Sequence, residues 1–201
     1  MEKEIVHKDR VAAKYGIWFF LFTEVLFFGG MFLLYSIYRS KYAEAFHAAA
    51  AEENLLLGSI NTAVLLTSSF FIAVSVSAVK KGKARMSALF QGLTVLLGFV
   101  FLVIKYFEWS EKILRGIYPD SPVLLKMGGG EILFFGLYYT MTGLHGLHVL
   151  IGLIVISFMI YFTVTGNITT RDYAKLEHTG LYWHFVDIVW IYLFPLFYLI
   201  T

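Results

Sequence analysis

The residues able to do chemistry in this chain sit where chemistry is least expected, inside long apolar runs. TGLHGLHVLIG (142–152) carries His145 and His148, and LYWHFVDIVW (181–190) carries His184 and Asp187. Glu24 lies in TEVLFFGG, and Lys105 and Glu108 lie in KYFEW. Polar groups are costly in hydrocarbon and are rarely there without a use. Imidazole can ligate haem or a metal and can move protons. Residues three apart share a helix face, so His145 and His148 form one such pair and His184 and Asp187 another. That spacing argues against a bis-histidine haem, whose ligands must face each other across helices. No additional glutamate or histidine completes a familiar metal pattern. The chain has no cysteine, which excludes disulfides, zinc–thiolate sites, covalently attached haem and cysteine-ligated copper on this chain. Hydrogen bonding between helices is the favoured use, with an Asp–His pair joining the fourth and fifth helices. Glu24 lies about 12 Å into its helix at 1.5 Å per residue. It reads either as a proton-linked or interface carboxyl, or as a neutral acid bonded to a neighbouring helix.

The elements that must hold these groups are membrane helices. Of 201 residues, 59% are hydrophobic and 15% charged, against about a quarter charged in soluble domains. The apolar residues fall into five blocks of the length a spanning helix needs: 16–38, 56–79, 87–109, 132–164 and 181–200. The expected fold is all-α, a bundle of five transmembrane helices forming a single transmembrane domain over 1–201. The fourth block is longer than a straight crossing and should tilt or project. No repeat or low-complexity linker interrupts the pattern. The first fifteen residues, MEKEIVHKDRVAAKY, lack the short apolar core of a cleaved signal. The formal net charge of +2 implies no nucleic-acid partner.

Lys and Arg set the expected orientation. Ten lie in the N-terminal tail and the loops after the second and fourth blocks, against five on the opposite side. The N-terminus is therefore expected in the cytoplasm and the C-terminus outside. The loop 116–130, with Pro119, Pro122 and Gly128-Gly129-Gly130, should cap the outer ends of the third and fourth helices.

Other polar and aromatic residues have plainer readings. Asn61, Thr62, Thr67, Ser68, Ser69, Ser75 and Ser77 suit close helix packing. Lys105 and Glu108 read as a pair snorkelling at a helix end. Tyr15, Trp18, Tyr35, Tyr38, Tyr182 and Trp183 fit interfacial belts. Gly29, Gly30, Gly143, Gly146 and Gly152 permit close packing or lipid approach. Pro195 frees a carbonyl that should kink its helix or pair laterally.

TEVLFFGG, INTAVLLTSS (60–69), KYFEW, TGLHGLHVLIG and LYWHFVDIVW, in this order and spacing, resemble subunit III of the haem-copper cytochrome oxidases. The likeness covers nearly the whole chain. Longer members have seven helices flanking a lipid-filled cleft, and this chain resembles the five-helix bacterial form, for which the resemblance implies that subunit I supplies the missing pair. The resemblance implies a subunit of a proton-pumping terminal oxidase of aerobic respiration, multi-pass in the bacterial plasma membrane. It implies no catalytic site and no cofactor on this chain, with haems and copper on subunits I and II. Its implied role is to stabilise subunit I, support proton uptake and prevent inactivation during turnover. Implied partners are subunit I as the main contact, subunit II, other oxidase subunits and membrane lipids, with bound phospholipid admitted. Glu24 matches the family's buried glutamate, with a lipid-cleft or proton-related role. Asn61, Glu108, His145, His148, His184 and Asp187 join it as candidate proton, lipid or interface residues. A quinol oxidase subunit and a nitric oxide reductase accessory protein are related alternatives. A free-standing transporter is disfavoured by the lack of repeats and interrupted helices, and a di-haem anchor by the histidine spacing.

Overall fold

The computed structural model describes the backbone of residues 2–200 and the side chains of residues 11–200. Lys3, Lys8 and Arg10 of the charge count lie outside the described side chains. Among the described residues six helices follow one another: α1 (Glu2–Lys41), α2 (Ala43–Ala50), α3 (Leu55–Lys80), α4 (Ala84–Leu114), α5 (Gly129–Val164) and α6 (Ala174–Tyr198), with a short 3-10 turn at Leu124–Lys126. All but α2 contain a segment long and apolar enough to cross a membrane. The described residues contain no strand. The chain is a multi-pass, all-α membrane protein. Its last helix begins at Ala174 rather than Leu181 and ends at Tyr198.

Local sequence explains the boundaries. Asn54 caps α3, its side-chain oxygen accepting from the Leu57 N–H at 3.1 Å, which satisfies one of the helix's free donors. Between α3 and α4 the chain reverses within Lys81–Lys83, and Gly82 takes φ +72°, a left-handed conformation that favours glycine. So short a turn forces α3 and α4 to be antiparallel neighbours. The alanine-rich segment AEAFHAAA supplies strong helix formers, and α2 results. It turns Phe46, Ala49 and Ala50 inward, where Phe46 packs on Tyr35 and Phe134.

α3, α4, α5 and α6 make the core, α3 and α5 each packing against both α4 and α6, while α1 leans on α5, α6 and α2. α6 is the most buried of the five spanning helices and α1 the least. The centre of the core is Trp183, fully buried, in space left by two glycines. A Cβ at Gly98 would come within 2.8 Å of the Trp183 ring, and one at Gly152 within 2.7 Å. Gly146, by contrast, would meet only Leu102 at 3.9 Å.

One sequence expectation changes here. Trp183, Tyr182 and Tyr35 are buried rather than interfacial. Tyr15 and Trp18 are exposed, as lipid-facing residues of an outer helix would be. α6 continues through Pro195. The Tyr35 hydroxyl reaches across from α1 and donates to the Leu196 carbonyl, one of the acceptors that a helix end leaves free.

Candidate functional site: the buried polar seam

The buried residues of α4 are Ser87, Gln91, Thr94, Gly98, Phe101, Lys105, Glu108 and Lys112. They recur at alternating steps of four and three, which places them on one face. Six of the eight are polar, so the helix is apolar toward lipid and polar toward its neighbours. That is the arrangement a low-dielectric surrounding demands.

At one end Gln91 donates to Ser87 Oγ at 3.0 Å and to Thr163 Oγ1 of α5 at 3.1 Å. Deeper in, the Trp183 indole N–H donates to Ser68 Oγ at 3.0 Å. Ser69 and His184 Nδ1 are bonded at 2.6 Å, and Asp187 lies beside Ser69. Next, the Trp190 indole donates to Thr62 Oγ1 at 3.0 Å. These bonds tie α6 to α3 through Thr62, Ser68 and Ser69, whereas Thr67 and Ser75 bond carbonyls of their own helix and Ser77 is exposed.

Toward the α2-bearing end lies a network that the snorkelling reading missed. Lys105 and Glu108 do not reach for water, and both are buried. Lys105 Nζ donates to Glu108 Oε1 at 3.2 Å, Tyr138 Oη at 3.0 Å and Tyr198 Oη at 2.8 Å. Each tyrosine then donates its own hydrogen to Glu108 Oε1 at 2.5 Å. An ammonium in hydrocarbon must satisfy three donors, and here α4, α5 and α6 satisfy them together. One helical turn on, Lys112 Nζ lies 3.0 Å from Glu53 Oε2, in the α2–α3 link. Burial pushes the Glu53 carboxyl up to about 7, against the pull of Lys112. A raised carboxyl binds protons that the unfolded chain releases, so this group's contribution to stability is lost as pH rises through about 7.

A second polar contact joins α1 to α5. His148 Nδ1 bonds the Leu144 carbonyl at 2.7 Å, and Nε2 lies 3.1 Å from Glu24 Oε2. A carbonyl only accepts, so Nδ1 carries a hydrogen. Nε2 then either accepts the Glu24 proton or bears a second one facing a carboxylate. In either form the pair holds one shared proton. Phe28 packs edge-on against the imidazole, and Tyr182 donates to the His148 carbonyl at 3.0 Å.

The remaining candidates do not meet as the sequence suggested. His145, three residues from His148, turns into the core between Phe101 and Trp190. Both its ring nitrogens, both Asp187 carboxylate oxygens and the Asn61 amide are buried without a protein hydrogen-bond partner. The expected Asp–His pair between the fourth and fifth spanning helices does not form: His184 turns to Ser69, and His148 to Glu24. Tyr138, Tyr198 and Glu53 were absent from the sequence reading, and Lys112 entered it only as a charge on the outer side, whereas it is buried within α4. The four-three stripe of α4 was the signal that could have found Lys112.

Among the described residues no three His, Cys, Asp or Glu side chains form a group able to hold a metal ion. A helical bundle with a polar seam through an apolar core and an apolar outer face, whose ionisable groups bridge helices, is a multi-pass membrane protein built around interhelix contacts. The chain belongs to the cytochrome c oxidase subunit III family, whose family model matches residues 6–201. It is 33% identical to cytochrome c oxidase subunit 3 of Thermostichus vulcanus, across 92% of this chain and 86% of that one. It is 32% identical to cytochrome bo(3) ubiquinol oxidase subunit 3 of Buchnera aphidicola, across 92% and 89%. It is also 29% identical to the heme-copper oxidase subunit I+III of Aeropyrum pernix, covering 96% of this chain but 23% of that longer protein. The chain is thus subunit III of a terminal oxidase, part of an oxidase complex.

Proposed function

We propose that this chain is a non-catalytic subunit of a proton-pumping cytochrome c oxidase, free of haem and copper, that braces subunit I and keeps its proton uptake fast. The observation that carries this reading is the use of the buried ionisable groups. Lys105 and Glu108 close a hydrogen-bonded ring across three helices, and Glu24 and His148 join a fourth to them. A chain whose polar groups hold helices in register acts on its neighbours' rates rather than on a substrate of its own. Subunit I is the main contact in this proposal. The Aeropyrum relative, named subunit I+III, supports that choice, because fusion of two chains is natural where they already touch. Subunit II, other oxidase subunits and membrane lipids complete the surroundings. The exposed apolar face of α1, with Phe19, Phe22, Leu26, Leu33 and Ile37, is suited to such contacts.

Removing the subunit from the purified complex should leave oxygen reduction and the haem spectrum intact at first, then shorten the enzyme's working life over successive turnovers. Immediate loss of activity, or a shifted haem spectrum, would place this chain at the catalytic centre and refute the accessory role. The electron donor in this reading is cytochrome c. The Buchnera relative's name favours a quinol as the second reading, and oxidation of reduced cytochrome c by the complex decides between them. The ten-to-five charge count supports a cytoplasmic N-terminus and an outside C-terminus in a bacterial plasma membrane. A reporter fused at the C-terminus should be active only outside, and cytoplasmic activity would reverse the assignment.

A further inference from the structure

The ring around Lys105 is closed on one side and open on the other. Its three N–H donors are all taken, and Glu108 Oε1 accepts from Lys105 and both tyrosines. Glu108 Oε2 takes no part. It is buried with no protein donor, although a carboxylate has about four lone-pair sites to satisfy. Glu108 lines a cavity of about 180 Å³ whose other walls are Glu52, Asn54, Glu111, Lys112, Arg115 and Ile117. That volume holds several water molecules, and its lining is largely charged. Glu53 sits between two of the wall residues, Glu52 and Asn54. Its Oε2 forms an ion pair with Lys112 at 3.0 Å, and neither of its carboxylate oxygens completes a hydrogen bond. One carboxyl with an unmet acceptor, Glu108, therefore lines the cavity, and a second, Glu53, lies behind the wall residue Lys112, at the end of the bundle where α4 meets the α2–α3 link.

We propose that this cavity is a water-filled entry to a proton-binding group, in which Glu53, lying behind the wall residue Lys112, takes a proton from the aqueous phase at the α2-bearing face and returns it there, while the Lys105 ring holds Glu108 as a carboxylate. The ligand is the hydrated proton: hydronium gives up its proton, the Glu53 carboxylate becomes a carboxylic acid, and water is left. The charged groups that act on Glu53 fit this division of labour, and the other charged walls, Glu52, Glu111 and Arg115, pair with one another. From α4, Lys112 and Lys105 favour an ionised Glu53, and Glu108 opposes it. From α5 and α6, the groups nearby are phenols that keep their hydrogens, because Tyr138 and Tyr198 donate to Glu108 and Tyr139 donates to the Ile117 carbonyl at 2.7 Å. Burial sets the balance, and Glu53 titrates at about 7. Glu108 has its own ammonium and two phenolic donors, which stabilise its charge. Once Glu53 is neutral, Lys112 keeps the Glu52 carbonyl, 3.4 Å away, so the link stays attached through the cycle. The site stands on the geometry of this chain and does not require that the subunit govern proton uptake elsewhere in the complex.

Infrared difference spectra of the intact oxidase complex, recorded across neutral pH, test the proposal. Wild type minus Glu53→Gln should show a protonated-carboxyl C=O band that grows as pH falls, with a midpoint near 7, and that shifts down in D2O. Lys112→Gln should move the midpoint upward, because it removes the cation that favours the ionised form. Should Glu53→Gln fail to assemble, the complex stripped of this subunit serves as the blank and must lack the same band. A difference spectrum with no titrating carboxyl, a band that survives in the blank, or a midpoint that moves with calcium concentration would overturn the proposal, the last by making the cavity a metal site. Oxygen reduction is not the readout, so failure here leaves the accessory role standing.

Discussion

Lys105→Met should be among the most damaging substitutions in this chain. It leaves the Glu108 carboxylate in the core with its two tyrosines and no counter-charge. Breaking a buried ion pair from one side costs about 3–5 kcal/mol. That is large against the total stability of most domains, so most of the subunit should be lost from the purified complex. Removing both charges should cost much less. In Lys105→Met with Glu108→Gln, the amide oxygen still accepts from Tyr138 and Tyr198, and no net charge stays buried. The measurement is the amount of subunit retained in the complex, with thermal denaturation of whatever assembles. A double variant as depleted as Lys105→Met alone would show that the loss comes from packing of the lysine stem, not from the stranded carboxylate.

At the α1–α5 contact, replacement of Glu24 should separate hydrogen bonding from charge. Because His148 Nδ1 bonds the Leu144 carbonyl, Nε2 is free to accept. A glutamine at position 24 can donate an amide N–H to it, so Glu24→Gln should keep the subunit in place. Glu24→Leu leaves His148 Nε2 without a partner and should cost roughly 1–3 kcal/mol. The effect should concentrate on α1, which leans on the core through few neighbours. Protease nicking between α1 and α2 and retention of the subunit both report it. If Glu24→Gln proves as harmful as Glu24→Leu, the ion pair itself is structural and the shared-proton description fails.

The fold class was legible because hydrocarbon imposes a simple rule: spanning segments must be long, apolar and helical. The short helix α2 escaped that rule. At eight residues it cannot cross a membrane, and its alanines signal helix by propensity alone, which is weak without tertiary context. The site was legible in composition but not in direction. Residues three apart on a helix differ by about 60° of rotation. That is enough to send His148 to α1 and His145 into the core, so a shared face did not mean a shared fate. Lys105 and Glu108 were judged by depth, which suggested snorkelling. Rotation was the better guide, because both fall on the stripe that begins at Ser87 and Gln91. Tyr35, Tyr182 and Trp183 show the same confusion: aromatic residues near a boundary in sequence turn inward when a glycine or a free carbonyl awaits them. The Lys112–Glu53 contact joins positions far apart in the chain, and no local pattern announces it.

The polar character of α6 bears on how the chain enters its membrane. α6 is the least apolar of the five spanning helices and the most enclosed. Its indoles, His184 and Asp187 find neighbours only among helices that precede it in the chain. A segment of this kind partitions into lipid poorly alone, since a central aspartate is strongly penalised during insertion. The hydroxyls of α3, made earlier in the chain, are the partners that offset this penalty once α6 packs against them. The early helices thus act as the solvent for the late one.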